Sequence, residues 1–155
     1  VAIYEIVKTV TMNAAPADVL PLITNFRAWP RWSAWESEDS PLERTYTGPE
    51  QGVGAIYEWS GDKATGAGRM EITEATDRQV RVTLTFIRPF SSTAHHVFDL
   101  TGDDSGPTTV TWSMTSSASG FIGLLQRVFR MMERMLGKQI EQGLGKMKAL
   151  AEAAT

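Results

Sequence analysis

Phe121 to Ala153 reads FIGLLQRVFRMMERMLGKQIEQGLGKMKALAEA, and the fold follows from what this stretch must cover. Its apolar residues Phe121, Leu124, Leu125, Val128, Met131, Met132, Met135, Ile140, Leu144, Met147 and Leu150 fall at helical spacing, which predicts one long amphipathic helix. The stripe drifts around the helix after Gly137, and a glycine at that point predicts a bend. Arg127, Arg130, Glu133 and Arg134 interrupt its most apolar part, so the helix is not expected to cross a bilayer.

Working outward from that helix, the chain before it has period two. Alternating runs cover Ala55 to Ser60, Gly68 to Thr73, Gln79 to Ile87, Thr93 to Thr101 and Thr108 to Thr115, with a weaker one at Glu43 to Thr47. Turn signals separate them, among them Gly48-Pro49, Gly61-Asp62, Thr76-Asp77 and the run from Gly102 to Pro107. Short connections between consecutive strands predict an antiparallel meander. Residues 3–12 are rich in β-branched types and predict a first strand. Pro16 then suits the first turn of a helix, and a second helical turn over Phe26 to Trp32, interrupted by Pro30, leaves Trp29, Trp32 and Trp35 at intervals of three.

The alternation sorts side chains onto two faces. Tyr57, Trp59, Met70, Leu84, Phe86, His96, Phe98, Trp112 and Met114 share one face, while Glu58, Arg69, Thr83, His95 and Thr111 share the other. A sheet with one apolar face needs a cover, and only the terminal helix is long enough to supply it. The expected architecture is therefore α+β: a curved antiparallel sheet of about seven strands wrapped around a long C-terminal helix, with two short helices after strand 1. The length of 155 residues predicts a single domain over 1–155.

Composition narrows the function. The 15 Lys and Arg are scattered among 18 Asp and Glu, giving a net charge of -3 and no basic stripe, which argues against a nucleic-acid partner. Cysteine is absent, which removes thiolate nucleophiles and cysteine metal sites and fits a reducing, cytoplasmic compartment. The opening run Val1-Ala2-Ile3-Tyr4-Glu5-Ile6 reads as a strand and lacks the pattern of a signal peptide. His95 and His96 are adjacent in a strand and point to opposite faces, so they cannot share a metal. No phosphate-loop, HExxH, EF-hand or GxSxG pattern occurs, and neither a metal nor a cofactor is expected.

The large residues of the apolar face are expected to line a cavity beneath the helix. They are Tyr57, Trp59, Met70, Leu84, Phe86, Phe98, Trp112 and Met114, with Trp32 and Trp35 from the helical turns and Phe129, Met132, Met135 and Leu136 from the terminal helix. Tyr57, Trp59 and His96 add polar groups to this set, and Arg88 has the parity to reach the mouth and steer an anion or to form an edge salt bridge. Tyr57 and His96 are the candidates for proton donor or acceptor should the site be catalytic.

Several short strings carry a resemblance. They are Ala14-Ala15-Pro16, Trp29-Pro30-Arg31-Trp32-Ser33-Ala34-Trp35, Gly52-Val53-Gly54-Ala55-Ile56-Tyr57-Glu58-Trp59, Gly66-Ala67-Gly68-Arg69-Met70-Glu71-Ile72, Pro89-Phe90, Thr109-Val110-Thr111-Trp112-Ser113-Met114 and Gly143-Leu144. In this order they resemble the START-like (SRPBCC) superfamily, specifically its polyketide cyclase/dehydrase branch. The resemblance implies the helix-grip (START-like, Bet v 1-like) fold and a deep cavity for a small hydrophobic or aromatic ligand. It leaves three functions open: a carrier or sensor, an enzyme acting on an aromatic or polyketide substrate, and a protein-interaction module with a vestigial cavity.

Overall fold

The period-two runs become one seven-stranded antiparallel sheet: β1 Ala2–Met12, β2 Glu43–Thr47, β3 Ile56–Ser60, β4 Ala67–Ala75, β5 Gln79–Arg88, β6 Ser92–Thr101 and β7 Thr108–Ser117. Its order is β1-β7-β6-β5-β4-β3-β2, so the first strand closes one edge and β2 the other. Helix α1 covers Pro16–Thr24, a 3₁₀ turn follows at Phe26–Arg31, and helix α2 covers Gln126–Ala153. The computed structural model describes residues 2–33, 42–62, 66–88, 92–117 and 126–154, the side chains of 2–4, 88, 117 and 126–132 excepted.

Cross-strand register stacks the apolar face into rows. One row runs Trp59, Gly68, Phe86, Ser92, and the next Tyr46, Tyr57, Met70, Leu84, Ala94, Ser116. A third runs Ile72, Val82, His96, Met114, Ile6, and a fourth Val80, Phe98, Trp112. The opposite face carries threonine pairs such as Thr9 with Thr111 and Thr11 with Thr109, whose hydroxyls lie 3.2 and 2.9 Å apart.

Helix α2 runs alongside β1. Lys8 Nζ meets Glu141 2.9 Å away, and the Asn13 amide donates to Glu152 at 2.8 Å, which fixes both the register and the direction of the helix. Ile140, Leu144, Met147 and Ala151 are fully or almost fully buried, an i, i+4, i+7, i+11 stripe. The helix passes through Gly137 without interruption. That glycine is buried where α2 crosses β1, with the place of its missing Cβ 3.4 Å from Lys8 and 3.9 Å from Ile6.

Candidate ligand-binding site

The tryptophans after β1 are explained by the helix end they close. A 3₁₀ helix eclipses residues i and i+3, so Trp29 and Trp32 leave the turn on one side. The last carbonyls of an α-helix have no partner within it. Here Trp29 Nε1 donates to the Ile23 carbonyl at 2.9 Å and Trp32 Nε1 to the Leu22 carbonyl at 2.8 Å. With their polar edges satisfied, both rings are fully buried against the sheet, Trp29 edge-on to Phe98 at 5.8 Å and Trp32 edge-on to Trp112 at 5.5 Å. Phe98 and Trp112 lie 4.8 Å apart in the fourth row, completing a solid aromatic end.

Helix α2 closes over this end through a glycine. A Cβ on Gly143 would sit 3.3 Å from Trp112 and 3.4 Å from the Trp32 carbonyl, so the absence of a side chain lets the helix backbone approach the rings. The sequence expectation had Met135 facing the sheet, and the structure corrects it: Met135 is 52% exposed. It stands five residues before Ile140, about 140° around the helix from the buried stripe.

His96 borders the aromatic end. Its Nδ1 accepts the Trp112 indole N–H at 2.8 Å, so in the neutral ring the proton sits on Nε2. Burial, and next the charge of the adjacent His95, lower its pKa from 6.5 to about 3. The ring is therefore neutral across the physiological range.

The first two rows differ from the fourth. On β3 to β5 they carry large residues: Tyr57, Met70 and Leu84 are buried, while Trp59 and Phe86 are half-buried and meet edge-on at 5.8 Å. Trp59 lies across Gly68, where a Cβ would come within 2.3 Å of the ring. On β6 and β7 the same rows carry only Ser92, Ala94 and Ser116, the last two buried. A wall of large residues thus stands beside a small-residue floor.

Of the expected site residues, Tyr57, Trp59, Met70, Leu84 and Phe86 form the β3 to β5 part of these two rows, Leu84 and Phe86 directly beside Ala94 and Ser92, with His96 and Met114 in the next row. Trp32, Phe98 and Trp112 belong instead to the filled end, and Leu136 packs half-buried against the core. Trp35 and the side chains of Arg88, Phe129 and Met132 lie outside the described residues. Trp29, Phe26 and Tyr46 were not among the expected site residues. Phe26 is 5.5 Å from Trp29 and 6.1 Å from Tyr57, and Tyr46 stacks on Tyr57 at 5.2 Å. The signal for Phe26 and Trp29 was the three-residue spacing they share with Trp32; for Tyr46 it was parity within a short strand.

Among the described residues no helix is long and apolar enough to cross a membrane, and no three His, Asp or Glu side chains group as metal ligands. Solved structures share the architecture. SA2116 of Staphylococcus aureus superposes with a TM-score of 0.72 at 13% identity, over 97% of this chain and 94% of that one. Ara h 8.0201 gives 0.61 at 16%, over 97% and 96%. The di-domain ARO/CYC StfQ of the steffimycin biosynthetic pathway gives 0.70 at 10%, with 97% of this chain covering 51% of StfQ. At these identities the likeness shows the fold alone. No curated protein matches the chain in sequence. Residues 4–152 match the family described as polyketide cyclase / dehydrase and lipid transport, so the chain belongs to that branch of the START-like (SRPBCC) superfamily and has its ligand-binding helix-grip fold.

Proposed function

We propose that the protein binds a small hydrophobic or aromatic molecule over the floor formed by Ser92, Ala94 and Ser116, as a carrier or sensor. The observation that carries this reading is the contrast within the same rows between those small residues and the wall of Tyr57, Trp59, Met70, Leu84 and Phe86. A guest that places about 200 Å² of apolar surface against such a wall gains roughly 5 kcal/mol from burial before the costs of association. The family description, which joins cyclase and dehydrase chemistry to lipid transport, agrees with an apolar guest.

The state of His96 favours binding over proton transfer. A general acid or base works best with a pKa near the operating pH, and a ring held near 3 is a poor base and carries no dissociable charge to donate at neutrality. Tyr57 and His96 start from strands separated by β4 and β5, three inter-strand spacings of about 4.8 Å each, so the sheet does not present them as neighbours.

The test is a titration with the neutral apolar probe N-phenyl-1-naphthylamine. The wild type is expected to bind one equivalent with enhanced fluorescence, and Ala94→Phe or Ser116→Leu, which fill the floor, to lose binding at least tenfold while remaining folded by circular dichroism. Unchanged affinity in both variants would overturn the reading.

A further inference from the structure

A concavity lies between the 3₁₀ turn and the β2–β3 connection; its Tyr46 stacks on Tyr57 of the wall, and it includes none of Ser92, Ala94 and Ser116. It holds about 310 Å³, the lower end of the range of roughly 300–1,000 Å³ for small-molecule pockets. Its chemistry is divided. Most of its exposed lining is polar; Pro49 and Ile56 supply apolar surface over the buried Phe26, Arg27 is the single cation and Glu50 the single anion.

Arg27 is held in an informative way. Its guanidinium carbon sits over the Tyr46 ring, 4.2 Å from the centroid, a cation–π contact. A cation–π contact supplies no hydrogen-bond acceptor, so the N–H donors of the exposed Arg27 guanidinium can still pair with a carboxylate. Among the described residues Arg27 forms no ion pair.

The walls are fixed before any ligand arrives. The Gly52 amide donates to the Thr24 carbonyl at 3.0 Å, which pins the β2–β3 connection to the end of α1. The Gly54 amide donates to the Ile72 carbonyl at 2.9 Å. Gly48 has φ +76, and a Cβ there would lie 2.3 Å from the Gly54 carbonyl, so the connection closes on itself. On the other side, Asn25 Oδ1 accepts the Arg27 amide at 3.0 Å and sets the start of the 3₁₀ turn.

We propose that this concavity is a separate site for a small planar aromatic carboxylate, its ring against Pro49 and Ile56 and its carboxylate paired with the Arg27 guanidinium. Glu50 sets a limit on the class. One negative charge is matched by Arg27, and a second would face the Glu50 carboxylate.

The experiment titrates 2-naphthoate into the full chain at neutral pH and low salt, following naphthyl fluorescence. Loss of a charge-assisted pair predicts that Arg27→Gln weakens binding about tenfold or more, with Arg27→Lys between it and the wild type. Glu50→Gln is expected to tighten binding about two- to threefold by removing a like charge at the rim. The neutral amide, 2-naphthamide, is expected to bind at least tenfold more weakly than 2-naphthoate. Ala94→Phe, which blocks the floor, is expected to leave the Arg27-dependent binding unchanged. Absence of 2-naphthoate binding, wild-type affinity in Arg27→Gln, equal affinity for the amide, weaker binding in Glu50→Gln, or loss of binding in Ala94→Phe would each overturn the assignment. Because the interior site is read with a neutral probe, either site can fail without the other.

Discussion

The two ends of the concave face use the same strands for opposite purposes. In the fourth row Phe98 and Trp112 meet Trp29 and Trp32 from the 3₁₀ turn, and α2 comes close enough at Gly143 to seal the group. In the first two rows β6 and β7 offer Ser92, Ala94 and Ser116, beside a wall whose outermost rings, Trp59 and Phe86, are half-buried. Rings packed edge to face in low-energy positions stabilise the fold and leave no place for a guest. A floor without large side chains gives up that stabilisation. On the proposed reading, stability and binding fall to different rows of one sheet.

The sharpest way to break this contrast is to truncate one ring at each end. Trp112→Ala removes a fully packed side chain and also the donor to His96 Nδ1, and should cost about 3–5 kcal/mol of unfolding free energy. Phe86→Ala removes a half-buried ring and should cost roughly 1–2 kcal/mol. Denaturant unfolding of both variants measures the difference. Equal costs would mean that the two ends are packed alike, and the division of labour would fail.

Acid gives a smaller, graded effect that belongs to the filled end. In the unfolded chain His96 takes up a proton near pH 6.5, whereas in the folded protein burial holds it back until about pH 3. Between those values the unfolded state binds more protons, so this contribution is complete above pH 6.5 and is lost as the pH falls toward 3. Its slope approaches about 1.4 kcal/mol per pH unit. His96→Gln has no such proton to take up. The stability of the wild type relative to His96→Gln should therefore decline from pH 7 to pH 5, a comparison in which the carboxylates common to both proteins cancel. A constant difference over that range would show that His96 is not held neutral by burial.

The sheet was legible because each strand position has only two directions to point. Period two alone placed His96 inside and His95 outside, and it sorted Trp59, Phe86 and Trp112 onto one face. The helical segments were less legible. Trp29 sits in a six-residue turn too short to show a stripe, and its role depends on the carbonyl of Ile23, a backbone group that no side-chain pattern reports. Met135 fitted a broad stripe of apolar residues yet is exposed, because helix orientation is set by the closest approach of its backbone. Such an approach favours glycine, and a search for large apolar residues passes over glycine. The floor has the same character, since Ala94 and Ser116 matter for what they lack.

The smallest predicted effect tests that approach directly. Two glycines of α2 lie two residues apart: Gly145 has nothing within 4 Å of its missing Cβ, whereas Gly143 has Trp112 at 3.3 Å and the Trp32 carbonyl at 3.4 Å. Alanine is preferred over glycine within a helix by about 1 kcal/mol, so Gly145→Ala should stabilise the protein by nearly that amount. Gly143→Ala gains the same intrinsic preference but must push the helix a few tenths of an ångström from the rings. Overpacking of that kind offsets the gain, leaving Gly143→Ala neutral or destabilised by up to about 1 kcal/mol. The order of the two midpoints in thermal unfolding is the measurement. Were Gly143→Ala to gain as much as Gly145→Ala, α2 would not be resting on Trp112 and Trp32. The aromatic end would then have no seal to distinguish it from the floor.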